Sequence, residues 1–330
     1  MTIRRSLSAV FAGLLLLAAQ GRADVLALTW DNDIFFRADG NYTNGVRLSW
    51  LGDERRKQCQ RCSAIRVANR LSFLPGMGSD DAHYSLGINI EQLMMTPQDL
   101  AVRTPQFDDV PYAGLLLADI GLYARTEDSV TAYMLSVGTT GPDSGAAQTQ
   151  KMVHRWTLSD PPRGWDNQLP GKPIAGVAAV HARLLHNTDY QSLTRQAGFA
   201  VGASADGWMG KLTAGAFVRI GHNLPGNILP DYAGTGSSAS LAGLGPVDGS
   251  GWSLFAGLRA DGIGWSYLES EGRRAGYNVE TEDLVGAGIA GGSLQRGRFT
   301  TVMSFHHSTS YTRSSERFIS FGTLAFLWQN

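Results

Sequence analysis

The sequence is short of charge, of cysteine and of long apolar runs, and each shortage removes a class of function. Charged residues are 17% of the 330, and the formal net charge is −1. So even a balance offers no basic stripe to a phosphate backbone, and nucleic acid is excluded as a partner. Beyond the N-terminus no apolar segment approaches the ~18 residues that a membrane-spanning helix needs, so no transmembrane helix is expected. The only cysteines are Cys59 and Cys62, in Cys-Gln-Arg-Cys. Two thiols are half of a four-ligand zinc site, and a thioredoxin-like centre needs a βαβ context that is missing. In an exported chain the pair reads as a small disulfide or as spare thiols. No Gly-x-Ser-x-Gly elbow occurs, so a serine hydrolase lacks its most recognisable sign.

What the chain does have points to the outer membrane. Arg4 and Arg5 precede an apolar run from Ala9 to Ala19, and Gly21-Arg22-Ala23 supplies small residues for a signal peptidase. Residues 1–23 therefore read as an export signal, with 24–330 as one domain. Glycine is plentiful at 40, beside 8 Trp, 10 Tyr and 13 Phe. Few charges with many aromatics suit a wall that meets lipid outside and polar groups inside.

The dominant period is two. Leu26, Leu28 and Trp30 alternate with Ala27, Thr29 and Asp31; Val46, Leu48 and Trp50 alternate with Gly45, Arg47 and Ser49. Alternation of this kind marks strands with one apolar and one polar face. Candidate strands fall at 25–37, 41–52, 82–95, 111–125, 129–141, 174–186, 190–205, 208–221, 252–270, 276–292, 296–311 and 315–328. Twelve is an even count, and several are long enough to cross a bilayer at a tilt, so the fold expected is an all-β, twelve-stranded antiparallel transmembrane β-barrel. With both termini in the periplasm, 53–81 and 222–251 lie on the periplasmic side. Segments 37–41, 96–110 and 142–173 then face outward. The last of these carries Ala146 to Thr157, the one convincing short helix, stopped by Pro161-Pro162.

Two groups of residues suggest chemistry. By strand parity Asp31, Asp33 and Thr43 point into the lumen near the outer rim, whereas Asn32 has the opposite parity and joins them only at a bulge or a strand end. A carboxylate with an amide oxygen is a donor set for a hard cation such as calcium; polar residues are also simply what a barrel interior holds. On the helix, Gln150 and His154 are four apart and share a face, with Lys151 beside them. Packed over the barrel mouth, that face would bring an imidazole above Asp33 and Thr43, and a neutral imidazole is a common general base. The alternative is a solvated loop histidine. The other six histidines show no comparable constellation.

The stretches Thr29-Trp30-Asp31-Asn32-Asp33 and Asn41-Tyr42-Thr43-Asn44-Gly45 resemble the opening of the outer-membrane lipid A 3′-O-deacylase family, the LpxR type. Asp109-Val110-Pro111-Tyr112-Ala113-Gly114, then Gly141-Pro142-Asp143, then Gln150 to Arg155 with Trp165 and Gln168 continue the resemblance in the same order. It implies a twelve-stranded barrel with a site between the wall and a helix of an extracellular loop, acting on lipid A of lipopolysaccharide in the outer leaflet. It further implies a phospholipase A2-like mechanism, with Ca2+ polarising an ester carbonyl and a histidine activating water. Carried over by motif, Asn32 and Asp33 would hold the metal, His154 would be the base, and Gln150 and Thr43 would position groups. Asp160 falls where the family has an acidic residue. The family's functional lysine falls on Val102; Arg103 beside it, with Lys151, is the candidate for lipid A phosphate. A phospholipid hydrolase on the same barrel is a further reading. The alternative from another class is a non-enzymatic porin-like or structural barrel, which needs an open charged lumen rather than residues converging on one cleft.

Overall fold

The computed structural model describes residues 23–32, 41–59, 61–157, 159–224, 249–313 and 318–329. Twelve long strands form one antiparallel sheet: β1 (Ala23–Asn32), β2 (Asn41–Gly52), β3 (His83–Thr96), β4 (Ala113–Arg125), β5 (Ser129–Thr140) and β6 (Pro173–Tyr190). β7 (Leu193–Ala205), β8 (Met209–His222), β9 (Ser250–Ser266), β10 (Leu284–Arg296), β11 (Phe299–Thr309) and β12 (Phe318–Gln329) complete it. Each strand pairs with its sequence neighbours, and β1 closes on β12 from Val25↔Gln329 to Asn32↔Gly322. Closure leaves no unpaired edge, which is what lets a sheet stand in hydrocarbon. The fold is the twelve-stranded outer-membrane barrel that the period-two pattern predicts.

One rim carries both β1's start and β12's end together with the short turns 126–128, 191–192 and 297–298. Short turns mark the periplasmic side. The outer rim carries 97–112, 141–172 and 267–283. Residues 1–22 of the expected export signal 1–23, and the outer end of the expected first strand, 33–37, lie outside the described residues.

Among the described residues three α-helices accompany the barrel where one is expected: α1 (Ser63–Arg70), α2 (Ala146–Thr157) and α3 (Tyr267–Arg274). α3 corrects two strand boundaries. The ninth strand stops at Ser266 instead of 270, because Ser266 accepts a hydrogen bond from the Glu269 amide at 3.2 Å and caps a helix. The tenth then begins at Leu284 rather than 276. Cys59 and Cys62 form a disulfide just before α1.

The alternation sorts the wall. Leu28, Leu135, Leu212, Leu258 and Leu294 face outward and are exposed, as lipid-facing side chains must be. The inward face is closed off in layers. In the periplasmic half Val25, Ala27, Tyr123, Val130, Phe217 and Leu327 pack as one apolar cluster across the lumen. At the outer mouth Leu115, Leu117, Trp208, Tyr267 and Leu268 form another, with the Tyr267 ring stacked on Trp208 at 5.3 Å. Between them Arg47 pairs with Glu91 at 3.1 Å, and Lys211 and Arg259 lie 3.7 and 3.2 Å from Asp261. Their cavity holds about 200 Å³. Paired charges between apolar layers make a packed interior, which contrasts with the open charged lumen of a porin.

Candidate active site

Helix α2 docks on the outside of the barrel, against β3 and β4. Met94 of β3 and Gly114 of β4 have outward parity, yet both are buried, because the loop 141–172 folds back over them. The Gly141–Ser144 turn opens that loop, with Gly141 at φ +66° and Gly145 at φ +74°, where a side chain would be strained. A Cβ at Gly114 would come within 2.2 Å of Ser144 Oγ and 2.6 Å of the Ala146 Cβ. Gly114 is therefore what allows the start of α2 to touch the wall. Gln92, also outward-facing on β3, donates from Nε2 to the Ser144 carbonyl at 2.6 Å and fixes the same point.

The far side of the loop is fixed as firmly. Tyr112 and Trp165 pack ring to ring at 5.0 Å, a pairing that contributes about 0.5–1.5 kcal/mol beyond burial. Burial pushes the Tyr112 phenol up to about 12, so it stays protonated. The Leu169 amide donates to the Tyr112 carbonyl at 2.8 Å and the Arg163 amide to the Leu100 carbonyl at 2.9 Å. These contacts use the residues of the Pro-Tyr-Ala-Gly and Trp165 stretches, which are the mount of the helix.

On that mount Gln150 is fully buried against the wall, and its Oε1 accepts from Trp165 Nε1 at 2.5 Å. Its Nε2 is buried without a hydrogen-bond partner. One turn further on, half-buried His154 donates from Nδ1–H to the Asp160 carbonyl at 2.6 Å. A carbonyl can only accept, so in the neutral ring the proton is held on Nδ1 and Nε2 is left as an acceptor. Met152 and Trp156 lie on the exposed side of α2, Trp156 at 75%, which suits a helix seated at the lipid headgroup level.

The strand residues come to the same rim. Asn32 is the last residue of β1, pairs with Asn44 across β2, and has the outward parity of Leu28 and Trp30. It is nevertheless only 7% exposed, so it is covered rather than turned to lipid. In β2 the register against β3 shifts between Tyr42 and Asn44, which leaves Thr43 as the extra residue of a bulge. The Thr43 side chain and all of Asp33 lie outside the described residues. Asp31 faces the lumen, where its Oδ1 accepts from Thr323 Oγ1 at 2.8 Å.

Two expectations need correcting. α2 does not cover the barrel mouth; the mouth is roofed by Trp208, Tyr267 and Leu268, and α2 lies on the flank. The physical reason is Gly114, whose missing side chain makes the outward face the closest seat available. The outward parity of Asn32 thus directs it to the helix side of the wall. The lumen also holds a histidine constellation that spacing alone hides: Thr323 Oγ1 lies 3.1 Å from His306 Nε2 and donates to Asp31. Gln92 is a positioning residue with no motif of its own; a glutamine on the outward face beside Met94 is its only signal.

Arg103 is exposed in the 97–112 loop, which is tied to the segment after α2 because Asn167 Nδ2 donates to the Arg103 carbonyl at 2.5 Å. Lys151 is exposed on α2. Neither cation pairs with a carboxylate among the described residues. Asp160 is exposed, and its backbone carbonyl is what holds His154.

Comparison with known proteins agrees with this architecture. The family described as outer membrane protein LpxR matches residues 6–330. Among solved structures, LpxR from Salmonella typhimurium superimposes with a TM-score of 0.72 at 18% identity, covering 93% of this chain and 100% of that one. The β domain of the Bordetella autotransporter BrkA gives a TM-score of 0.45 at 8% identity, covering 93% of this chain and 99% of that one. No curated protein sequence matches the chain. The chain belongs to the LpxR family of outer-membrane proteins.

Proposed function

We propose that the protein hydrolyses an ester-linked acyl chain of lipid A in the outer leaflet, with calcium as cofactor. The observation that carries this reading is the placement of His154: a ring oriented through Nδ1, with Nε2 available, on the lipid-facing flank of the wall at the outer rim. A lipid diffusing in the outer leaflet reaches such a flank sideways, without leaving the membrane.

In this reading His154 Nε2 takes a proton from water, and the hydroxide adds to the ester carbonyl. The tetrahedral intermediate then expels the sugar oxygen, which takes the proton back from His154 Nε2, so that a fatty acid is released and a sugar hydroxyl is left. Gln150 Nε2, buried and without a partner, is a donor for the oxyanion. Asn32 and Asp33 would hold calcium; the Asn32 amide lies on a buried strand end beside a bulge, and with the carboxylate that follows it in sequence it makes an all-oxygen set suited to that ion. Calcium would supply positive charge to the ester carbonyl oxygen. Thr43 sits at the bulge, where a side chain can be re-aimed. Arg103 and Lys151 at the rim suit the lipid A phosphates.

The test is mass spectrometry of lipid A from cells with and without the protein, repeated on purified protein in chelator and after calcium is restored. The reading requires a species lighter by one acyl chain that appears only with the protein, is lost in chelator and returns with calcium. Unchanged lipid A in both arms would overturn it.

A further inference from the structure

The connection 53–82 does not hang in the periplasm; it folds back on the outside of the wall. Ile65 and Ala68 of α1, with Met77, pack against Leu86 of β3 and Leu122 of β4, whose side chains have lipid-facing parity. Tyr84, also outward, donates from its hydroxyl to the Met77 and Ser79 carbonyls at 2.9 and 2.8 Å. Tyr133 of β5 donates to the Pro75 carbonyl at 3.0 Å. Gly76, at φ +79°, lies so close to the wall that a Cβ would come within 2.6 Å of Thr131 Oγ1. The segment is thus a foot lying at the periplasmic rim, with its apolar side on the barrel.

The other side of the foot is basic. Arg61, Arg66 and Arg70 are exposed, and none is in an ion pair among the described residues. Their neighbours Arg55 and Lys57 differ in this respect, being paired with Asp53 and Asp80. Arg66 and Arg70 are one turn apart on α1 and share its outer face. Beneath the Pro75–Gly76 bend runs a groove of about 500 Å³ along the lipid-facing wall, lined by Tyr133, Ala179, Val201 and Ala203. Its polar members are already paired to each other, Thr131 Oγ1 and His181 Nδ1 lying 2.9 Å apart. Phe73, on the same bend, is 77% exposed.

We propose that this foot binds an anionic phospholipid of the periplasmic leaflet, with the phosphate on the exposed arginines and an acyl chain in the groove. The charge of the foot selects the headgroup. Guanidinium groups recognise phosphate with paired hydrogen bonds, and basic residues at a membrane surface gain most from anionic lipid. The apolar groove is continuous with the lipid-facing wall and suits a chain entering from the bilayer. An amphipathic helix with apolar and basic faces lies in the interface plane in this way. The site is on the opposite rim from α2 and does not depend on the deacylation chemistry.

Native mass spectrometry of the full-length protein tests it, using an equimolar mixture of phosphatidylglycerol and phosphatidylcholine with identical acyl chains. The wild type should retain phosphatidylglycerol over phosphatidylcholine by about tenfold. The combined Arg61→Gln, Arg66→Gln, Arg70→Gln variant should retain the two about equally. Ala203→Trp, which fills the groove, should lower retention of both lipids while heat-modifiable gel migration stays intact. Equal retention by the wild type overturns the proposal without recourse to any variant. A preference that survives loss of the three arginines, or full retention by a folded Ala203→Trp protein, overturns it as well.

Discussion

Helices α1 and α2 sit on the same outward face of the same two strands, one at each rim, and they are held in different ways. The side chains of α1 adhere by apolar contact, Ile65 and Ala68 against Leu86 and Leu122, and the directional bonds of its foot, from Tyr84 and Tyr133, fall on the bend after the helix. α2 is fixed by directional contacts as well: a wall residue without a side chain at Gly114, the Gln92 amide on Ser144, and Trp165 on Gln150. Adhesion is enough for a helix that only has to stay in place. In the proposed reading α2 presents one nitrogen to a reacting bond, and a helix in that role has to be held to within a fraction of an ångström, because small misplacements cost orders of magnitude in rate.

That contrast can be broken from the α2 side first. Asp33→Ala should abolish calcium-dependent deacylation while heat-modifiable migration stays normal; full activity in the variant, or in excess chelator, removes calcium from the account. Gly114→Val drives a side chain into Ser144 and Ala146, and should lower turnover by about 10²-fold, read as lipid A conversion by a correctly inserted protein. Gln150→Leu keeps the volume but strands the Trp165 indole N–H, and should cost about 1–3 kcal/mol of stability with a drop in kcat and little change in KM. From the α1 side, Ile65→Ala should destabilise the foot by about 2–4 kcal/mol, seen as a lower denaturant midpoint, with deacylation unchanged. A large loss of activity there would mean that the two helices are coupled through the wall.

The strands were legible because the lipid-facing and inward residues alternate, as in Leu26, Leu28 and Trp30 against Ala27, Thr29 and Asp31. The side of the wall on which the candidate site sits was not. Parity read with a polar lumen in mind sends Asp31 and Thr43 inward and leaves Asn32 out of place. Asn32 is buried on the outward face of the wall, the face on which α2 also docks, and that docking depends on a three-dimensional seat at Gly114 that no period records. The same limit hid the layers of the lumen, since Val25-Leu26-Ala27-Leu28 is apolar on both faces. α3 was within reach, because Ser266-Tyr267-Leu268-Glu269 carries the Ser-x-x-Glu spacing of a capping box, but the alternation on either side of it concealed the stop.

The central claim is that catalysis belongs to the flank and not to the lumen, and two histidines separate these most directly. His154 is on the flank, held through Nδ1 by the Asp160 carbonyl; His306 is in the lumen, within reach of Thr323 and stacked on Phe321 at 4.5 Å. The measurement is lipid A conversion by the folded, membrane-inserted His154→Ala and His306→Ala proteins, followed by mass spectrometry. A fall of about 10²–10⁴-fold is expected for His154→Ala, with His306→Ala close to the wild type. Wild-type conversion by His154→Ala, with loss in His306→Ala, would contradict the account and move the chemistry into the barrel.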